Sequence, residues 1–339
     1  MKQPDYEVVI ATYRRPESVL RLVEQLLSST PSPRRIIVVD ASPDANDALT
    51  KKSTVHYIRS SHANQPYQRY VGFLASSAEL LLFFDDDMRI ADNAFFPKLT
   101  DAMERHEADA VQPAFGYPHE FFEKKLPRSR FSSSKVLRMI RTLTGTPELP
   151  AGRYGYCGRR GAKPEEEEFI EWFNGPVFLL RRNRMYHDFN FRLFDLYEEG
   201  LGKGEDGITG YTYSRVGRIV YYPEVLFHHD PSYESTYTPD LDSFGRRFLF
   251  SRLYLSLEYG RLRGDGVILP VLHYHWCALW RVLGLLTNQL IRYQTSRNHL
   301  LLGYLRGWIA TLTRWNLIRG QGNEQYWKGE ALNDIAKAR

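Results

Sequence analysis

Glu79-Leu80-Leu81-Leu82-Phe83-Phe84-Asp85-Asp86-Asp87 is the stretch on which the reading turns. An apolar run without polar alternation is a strand buried on both faces, the pattern of a parallel sheet covered by helices. Three carboxylates straight after it repel one another and cost free energy unless a cation or fixed donors neutralise them. Mg²⁺ and Mn²⁺ prefer hard oxygen ligands of this kind and often share them with a substrate's phosphates. Acidic turns are common, so the functional reading rests on the position of this one after a buried strand.

Upstream, the same kind of segment recurs. Tyr6 to Ala11, Arg35 to Asp40 and Val55 to Ile58 read as strands. Between them, Val19, Leu20, Val23, Leu26 and Leu27 fall at helical spacing after Pro16, and Gln65 to Ser76 reads as a helix. Strands alternating with helices predict an α/β fold with a mostly parallel, Rossmann-like sheet. Ligands bind such sheets at the carboxyl ends of the strands, where Asp40 and the Asp85 to Asp87 run both fall.

Downstream, residues from about Tyr117 to Glu168 read as an irregular insert with one short helix, Lys135 to Leu143. It ends in Glu165 to Glu168, read as a solvated face. Phe169 to Phe173, Val177 to Leu180 and Arg218 to Tyr222 read as strands, and Glu205 to Val216 as a helix. Gly200-Leu201-Gly202-Lys203-Gly204 follows no strand and reads as a flexible turn, not a phosphate loop. The expected division is 1–240 for the α/β domain and 241–339 for a C-terminal helical region. Within the latter, Val267 to Trp315 is apolar but interrupted by arginines and carries four tryptophans. It predicts either amphipathic helices on a membrane or a hairpin that packs on the domain or a second subunit, and no transmembrane helix.

With 43% hydrophobic and 25% charged residues the composition argues against wholesale disorder, and a net charge of +5 is too small to indicate nucleic acid as a partner. Cys157 and Cys277, the only two cysteines, cannot build a disulfide framework or a Cys-rich zinc site. With a polar start and no signal peptide, a cytoplasmic location is expected, extending to the inner face of the cell membrane.

Gly204-Glu205-Asp206 offers carboxylates either for a general base or for ordinary helix capping. Phe227-His228-His229-Asp230 offers imidazoles able to ligate a metal. Taken in order, Val9 to Pro16, Val38-Val39-Asp40, Asn64-Gln65-Pro66 with Arg69 and Gly72, the Asp85 to Asp87 run, Gly204-Glu205-Asp206, Gly217, Pro223 and His228-His229 make a series. The chain from Tyr6 to Asp230 resembles the family 2 inverting glycosyltransferases, which have the GT-A fold.

The resemblance implies a nucleotide-sugar donor, with UDP or dTDP favoured. Thr12, Tyr13 and Arg14 would line the base pocket, Asp40 would contact the base, and Arg69, Asp85 and Asp86 would belong to the donor site. Asp85, Asp87 and one of His228 or His229, with His228 the first choice, would hold Mn²⁺ or Mg²⁺. Asp206 would be the general base, with Glu205 beside it. Trp172, Asn174 and Gly175 would shape an acceptor site for a glycan or lipid-linked glycan. Arg246 and Arg247 either close over the diphosphate or belong to a basic helix surface. The sequence departs from the family at Arg69-Tyr70-Val71-Gly72, which lacks the usual asparagine, and it has no Gln-x-x-Arg-Trp motif, which points to non-processive transfer. The alternatives are an inactive sugar-nucleotide-binding or scaffold protein of the same fold, and a nucleotidyltransferase. The intact acids oppose the first, and the lack of glycine after the first strand opposes the second.

Overall fold

The computed structural model describes residues 5–117, 148–185, 189–230, 240–291, 293–320 and 322–338. The expected helix at Lys135 to Leu143 and most of the insert lie outside these residues. The first half runs β1 (Tyr6–Thr12), α1 (Pro16–Leu27), β2 (Arg35–Asp40), α2 (Asp47–Thr50), β3 (Val55–Arg59), α3 (Gln65–Ala75), β4 (Leu80–Asp85), β5 (Met88–Ile90), α4 (Phe95–Arg105) and β6 (Ala110–Gly116). Next come β7 (Tyr154–Gly155), β8 (Arg159–Arg160), β9 (Glu168–Ile170), β10 (Val177–Arg181), α5 (Arg182–Met185), α6 (Phe191–Glu198), α7 (Glu205–Ser214) and β11 (Ile219–His229). Five helices close the chain: α8 (Leu241–Arg263), α9 (Ile268–Ile291), α10 (Thr295–Thr313), α11 (Trp315–Arg319) and α12 (Glu324–Lys337).

Among the described residues, one sheet has nine strands in the order β3-β2-β1-β4-β10-β6-β11-β5, with β9 pairing to β11. β1, β2, β3, β4, β6 and β11 run one way, and β10, β5 and β9 run against them. The mostly parallel α/β sheet is therefore present. Val8 and Ile10 face a core shared with Val19, Leu22 and Leu26 of α1 and Phe95 and Leu99 of α4. Val9 faces the opposite core, shared with Val71 of α3 and Phe194 of α6. Both faces are covered, which is why the strands are apolar throughout; each fully buried aliphatic side chain contributes about 1.5–3 kcal/mol.

Two departures from the sequence reading shape the site. The strand at Arg218 to Tyr222 does not end at Pro223 but continues to His229. Register shifts on either side of Val225 absorb the proline, which cannot donate to a ladder. β5 then pairs with the far end of this strand, Met88 opposite His229 and Arg89 opposite His228.

The C-terminal helices continue the same core: Phe250, Leu253 and Tyr254 of α8 and Trp327 of α12 belong to the cluster around Val9. Asp334 of α12 accepts from the Ser61 backbone N–H at 2.9 Å and from the Tyr67 hydroxyl at 2.8 Å. Gly303 and Gly307 let α10 lie against the backbone of α8, because a Cβ on Gly303 would stand 2.2 Å from the Asp242 carbonyl oxygen. His275 accepts the Trp308 indole N–H at 2.9 Å and His273 stacks on Tyr156, so both are packing residues. Both cysteines are free. No helix among the described residues is long and apolar enough to cross a membrane.

Candidate active site

The carboxyl ends of β1, β2 and β4 lie side by side, with Thr12 in register with Asp40 and Ala11 with Asp85. Asp40 is held at both oxygens. Oδ1 accepts the Ser42 N–H at 2.7 Å and Oδ2 accepts the Tyr57 hydroxyl at 2.6 Å. Each oxygen keeps a second lone pair for a ligand. Arg14 adopts a left-handed φ of 56° as the chain leaves β1, and its backbone N–H donates to the Ser42 hydroxyl at 2.7 Å. Its exposed guanidinium lies 5.0 Å from the centre of the Tyr13 ring.

The acidic run is neutralised within the protein. Thr12 donates to Asp86 at 2.7 Å, and one nitrogen of Arg15 reaches Asp86 at 2.8 Å and Asp87 at 2.7 Å. His229 Nε2 lies 3.1 Å from the other oxygen of Asp87. Burial pushes the Asp86 carboxyl up to about 7, outweighing Arg15. Burial acts the same way on Asp87, but His229 and Arg15 outweigh it and hold that carboxyl below its ordinary value. Strand alternation decides between the histidines, because His229 faces Asp87 while His228 lies against Gly116 on the other side. The first choice of His228 thus gives way to His229 as the imidazole at the acidic run.

Asp85 accepts from Arg69 at 2.6 Å and from Gln65 at 2.8 Å. The same Arg69 nitrogen donates to the Gly175 carbonyl at 2.9 Å, and its other terminal nitrogen donates to Glu205 at 3.2 Å. Arg69 was expected beside the nucleotide, but it is buried beneath the strand ends and ties β4 to α7. Glu205 also receives the Tyr197 hydroxyl. Burial, with Asp206 adding to it, pushes the Glu205 carboxyl up to about 7 against the pull of Arg69.

Asp206 differs from its neighbour. Its Oδ2 accepts the Gly175 N–H at 2.8 Å and Arg160 Nη1 at 3.1 Å. Burial favours its neutral form, but Arg160 and the backbone N–H groups of Gly175 and Gly207 prevail and keep it ionised. The preceding loop supports the turn reading: Gly200 and Gly204 have positive φ, and the carbonyl of Gly202 accepts from Arg247 at 2.8 Å. Arg247 is therefore a buried tether of this loop, not a clamp over a ligand. A cavity of about 30 Å³ is lined by Arg69, Glu205, Asp206 and Phe194.

Of the three expected acceptor residues, Asn174 and Gly175 line up beside Asp206. The Asn174 N–H donates to Gln112 at 2.7 Å, and Arg160 reaches the Asn174 side chain at 3.2 Å. Trp172 does not join them at an open surface, because it is 2% exposed and packed in the core. Arg15, Gln68, Tyr197 and Arg160 were not singled out by the sequence. Gln68 donates to the carbonyls of Thr12 and Val39, both at 2.8 Å, and so joins the ends of β1 and β2. Arg15 was legible by its place beside Arg14; Arg160 carried no spacing signal, since it meets Asp206 from the short strand β8, 46 residues away in sequence.

The polar cluster thus sits at the strand ends of a mostly parallel α/β sheet, where a ligand site is expected. Residues 7–163 match the model of the family described as Glycosyl transferase family 2. Among solved structures it is similar to S. aureus TarS 1-349, at 14% identity and a TM-score of 0.47, covering 98% of this chain and 80% of that one. The complex of TarS 1-349 with UDP-GlcNAc aligns at 12% identity and a TM-score of 0.47, covering 98% and 90%. The longer S. aureus TarS aligns at 14% identity and a TM-score of 0.43, covering 98% of this chain and 49% of that one. No curated protein matches the chain.

Proposed function

We propose that the protein is an inverting glycosyltransferase that moves a sugar from a nucleotide-diphosphate sugar, UDP or dTDP favoured, to a hydroxyl of a glycan or lipid-linked glycan. The observation that carries this reading is the split between two adjacent carboxylates at the start of α7. Asp206 is held ionised by Arg160 and backbone N–H groups, while Glu205 is pushed up to about 7. Environments that drive neighbouring acids apart mark acid–base assignments.

In this mechanism Asp206 accepts the proton of the acceptor hydroxyl. The hydroxyl oxygen bonds to the anomeric carbon from the face opposite the leaving group, and the bond to the diphosphate oxygen breaks in the same displacement. The Gly175 N–H and Arg160 fix the orientation of the Asp206 carboxylate. Asp40, Thr12, Tyr13 and Arg14 bind the nucleoside, with Tyr57 and Ser42 holding Asp40 in place. Arg69 acts at one remove, by positioning Asp85 and Glu205.

Mn²⁺ or Mg²⁺ fits this donor set when shared with a diphosphate. Among the described residues, no group of three or more His, Cys, Asp and Glu side chains forms a closed cage. Asp87 with His229, and Asp85 at the same strand end, offer hard oxygens and an imidazole of the kind that complete a coordination shell with phosphate oxygens. The ion, when bound, would neutralise charge on the leaving diphosphate. For Asp87 to take part, Arg15 must release its contact there.

A screen of nucleotide sugars with and without Mn²⁺, read by release of the nucleoside diphosphate and by NMR of the glycoside, tests the proposal. Metal-stimulated transfer with inverted anomeric configuration is expected. A retained configuration contradicts the mechanism, and donor binding without turnover returns the protein to a binding role.

A further inference from the structure

The only two cysteines of the chain meet where the turn between β7 and β8 packs on α9. That turn is Tyr156–Gly158, and Cys157 at its centre has a left-handed φ of 60°, a conformation that side-chain-bearing residues rarely adopt. Arg252 of α8 holds it there by donating to the carbonyls of Cys157 and Gly158 at 2.8 and 2.9 Å. On α9, His273, Cys277 and Arg281 recur at steps of four and so share one face of the helix. Successive residues of the turn meet successive residues of that face. The Tyr156 ring stacks on His273 at 4.4 Å, and the Cys157 thiol donates a hydrogen bond to the Cys277 sulfur.

The surroundings make the two sulfurs unequal. Cys157 is 3% exposed, whereas Cys277 is only half-buried, within reach of a small reagent. Arg159, Arg281 and Arg252 gather round Cys277, the last two lying on the Phe248 ring at 4.5 and 4.2 Å from its centre. The hydrogen bond from Cys157, helped by these three cations against burial, pushes the Cys277 thiol down to about 7. The same hydrogen bond and burial push the Cys157 thiol up. The thiolate is the reactive form of cysteine, so one sulfur is ready to react and its neighbour keeps a proton to give up.

We propose that Cys157 and Cys277 are an oxidisable pair whose oxidant is a hydroperoxide. The Cys277 sulfur attacks the terminal oxygen of the peroxide and the O–O bond breaks. The displaced alkoxide or hydroxide takes a proton from solvent, and Cys277 becomes a sulfenic acid. The Cys157 sulfur then attacks that sulfur, its proton leaves with the hydroxide as water, and the S–S bond closes. Two thiols lose two electrons and two protons, and the peroxide is reduced to water and an alcohol, or to two waters. The new bond is about 2.05 Å long, well inside the contact it replaces, so the turn and α9 must draw together. Arg160, which orients Asp206, follows this turn on β8 and moves with it. A loss of transfer on oxidation rests on the proposed role of Asp206; formation of the bond does not.

The test uses the full chain, reduced and then exposed to hydrogen peroxide. Thiols are counted in denaturant, and peptides are mapped by mass spectrometry without reductant. Both thiols should disappear together, a peptide pair joined through Cys157 and Cys277 should appear, and dithiothreitol should reverse both changes. Cys157→Ser should stop at the Cys277 sulfenic acid, captured by dimedone, while Cys277→Ser should react about tenfold more slowly or less. Transfer by the oxidised wild type should fall by about tenfold or more and return with dithiothreitol. Wild-type protein that keeps both thiols, or links only between molecules, overturns the inference. So does Cys277→Ser reacting as fast as Cys157→Ser. A fully linked protein with undiminished transfer overturns the connection to Arg160 and Asp206.

Discussion

Arg69 and Asp85 are joined at 2.6 Å, and through that contact the last residue of β4 is fixed relative to the first turn of α7. The same guanidinium holds Glu205, so one buried cation balances acids from two elements that meet only at the site. Removing it leaves those carboxylates buried without their partner.

Arg69→Ala should therefore be among the most destabilising single changes, costing about 3–5 kcal/mol as expected for a broken buried ion pair. Arg69→Lys should recover only part of this, since an ammonium cannot serve Asp85, Gly175 and Glu205 together. Urea denaturation measures both. An Arg69→Ala midpoint equal to wild type would show that the network contributes little.

Glu205 makes stability depend on pH. Its carboxyl titrates near 7 in the folded protein, against 4.5 without that environment. The folded state then binds the proton more tightly than the unfolded state, and the associated stability is full below about pH 4.5 and lost as pH rises through about 7. Melting temperatures of wild type and Glu205→Gln across this window provide the comparison. The wild type should fall more steeply than the variant; parallel curves would mean that Glu205 is ionised throughout.

His229 and His228 separate a metal-site role from a neighbouring one. His229→Ala should raise the Mn²⁺ concentration needed for half-maximal transfer by about tenfold or more. His228→Ala should change it little, because that ring faces Gly116. Equal effects from both substitutions, or none from either, would remove His229 from the metal assignment.

Gly303 tests the docking of the C-terminal hairpin. A methyl group there would meet the Asp242 carbonyl oxygen at 2.2 Å, and backbone cannot move aside cheaply. Gly303→Ala should cost about 1–3 kcal/mol, the usual range for overpacking, measured by thermal melting. An unchanged melting temperature would imply that α8 and α10 separate freely.

The strands that carry the site were readable because each is apolar along its whole length, as Leu80 to Phe84 illustrates. Their ends were readable too, since Asp40 and Asp85 are acids placed directly after such runs. What the sequence did not convey was long-range pairing. β5 has three residues with Arg89 in the middle, too short and too mixed to register as a strand, and its pairing is what turns His229 toward Asp87. The reversed direction of β10 depends on the path of the chain between it and β4, which its own residues do not encode. Trp172 was misjudged because an aromatic beside a polar loop reads alike whether it packs inward or lines a ligand site. The leucines of α9 had the same ambiguity, since at steps of three and four they look identical buried or bare.

The central claim is that Asp206 takes the proton in an inverting transfer, and it is tested most directly by the single-turnover rate of Asp206→Asn at saturating donor and metal. The amide keeps the shape of the side chain but cannot accept the proton, so the rate should fall by about 10²–10⁴-fold, the usual worth of a general base, with donor affinity unchanged. A near-normal rate, or a loss confined to donor affinity, would contradict the account and leave Asp206 as a capping residue of α7.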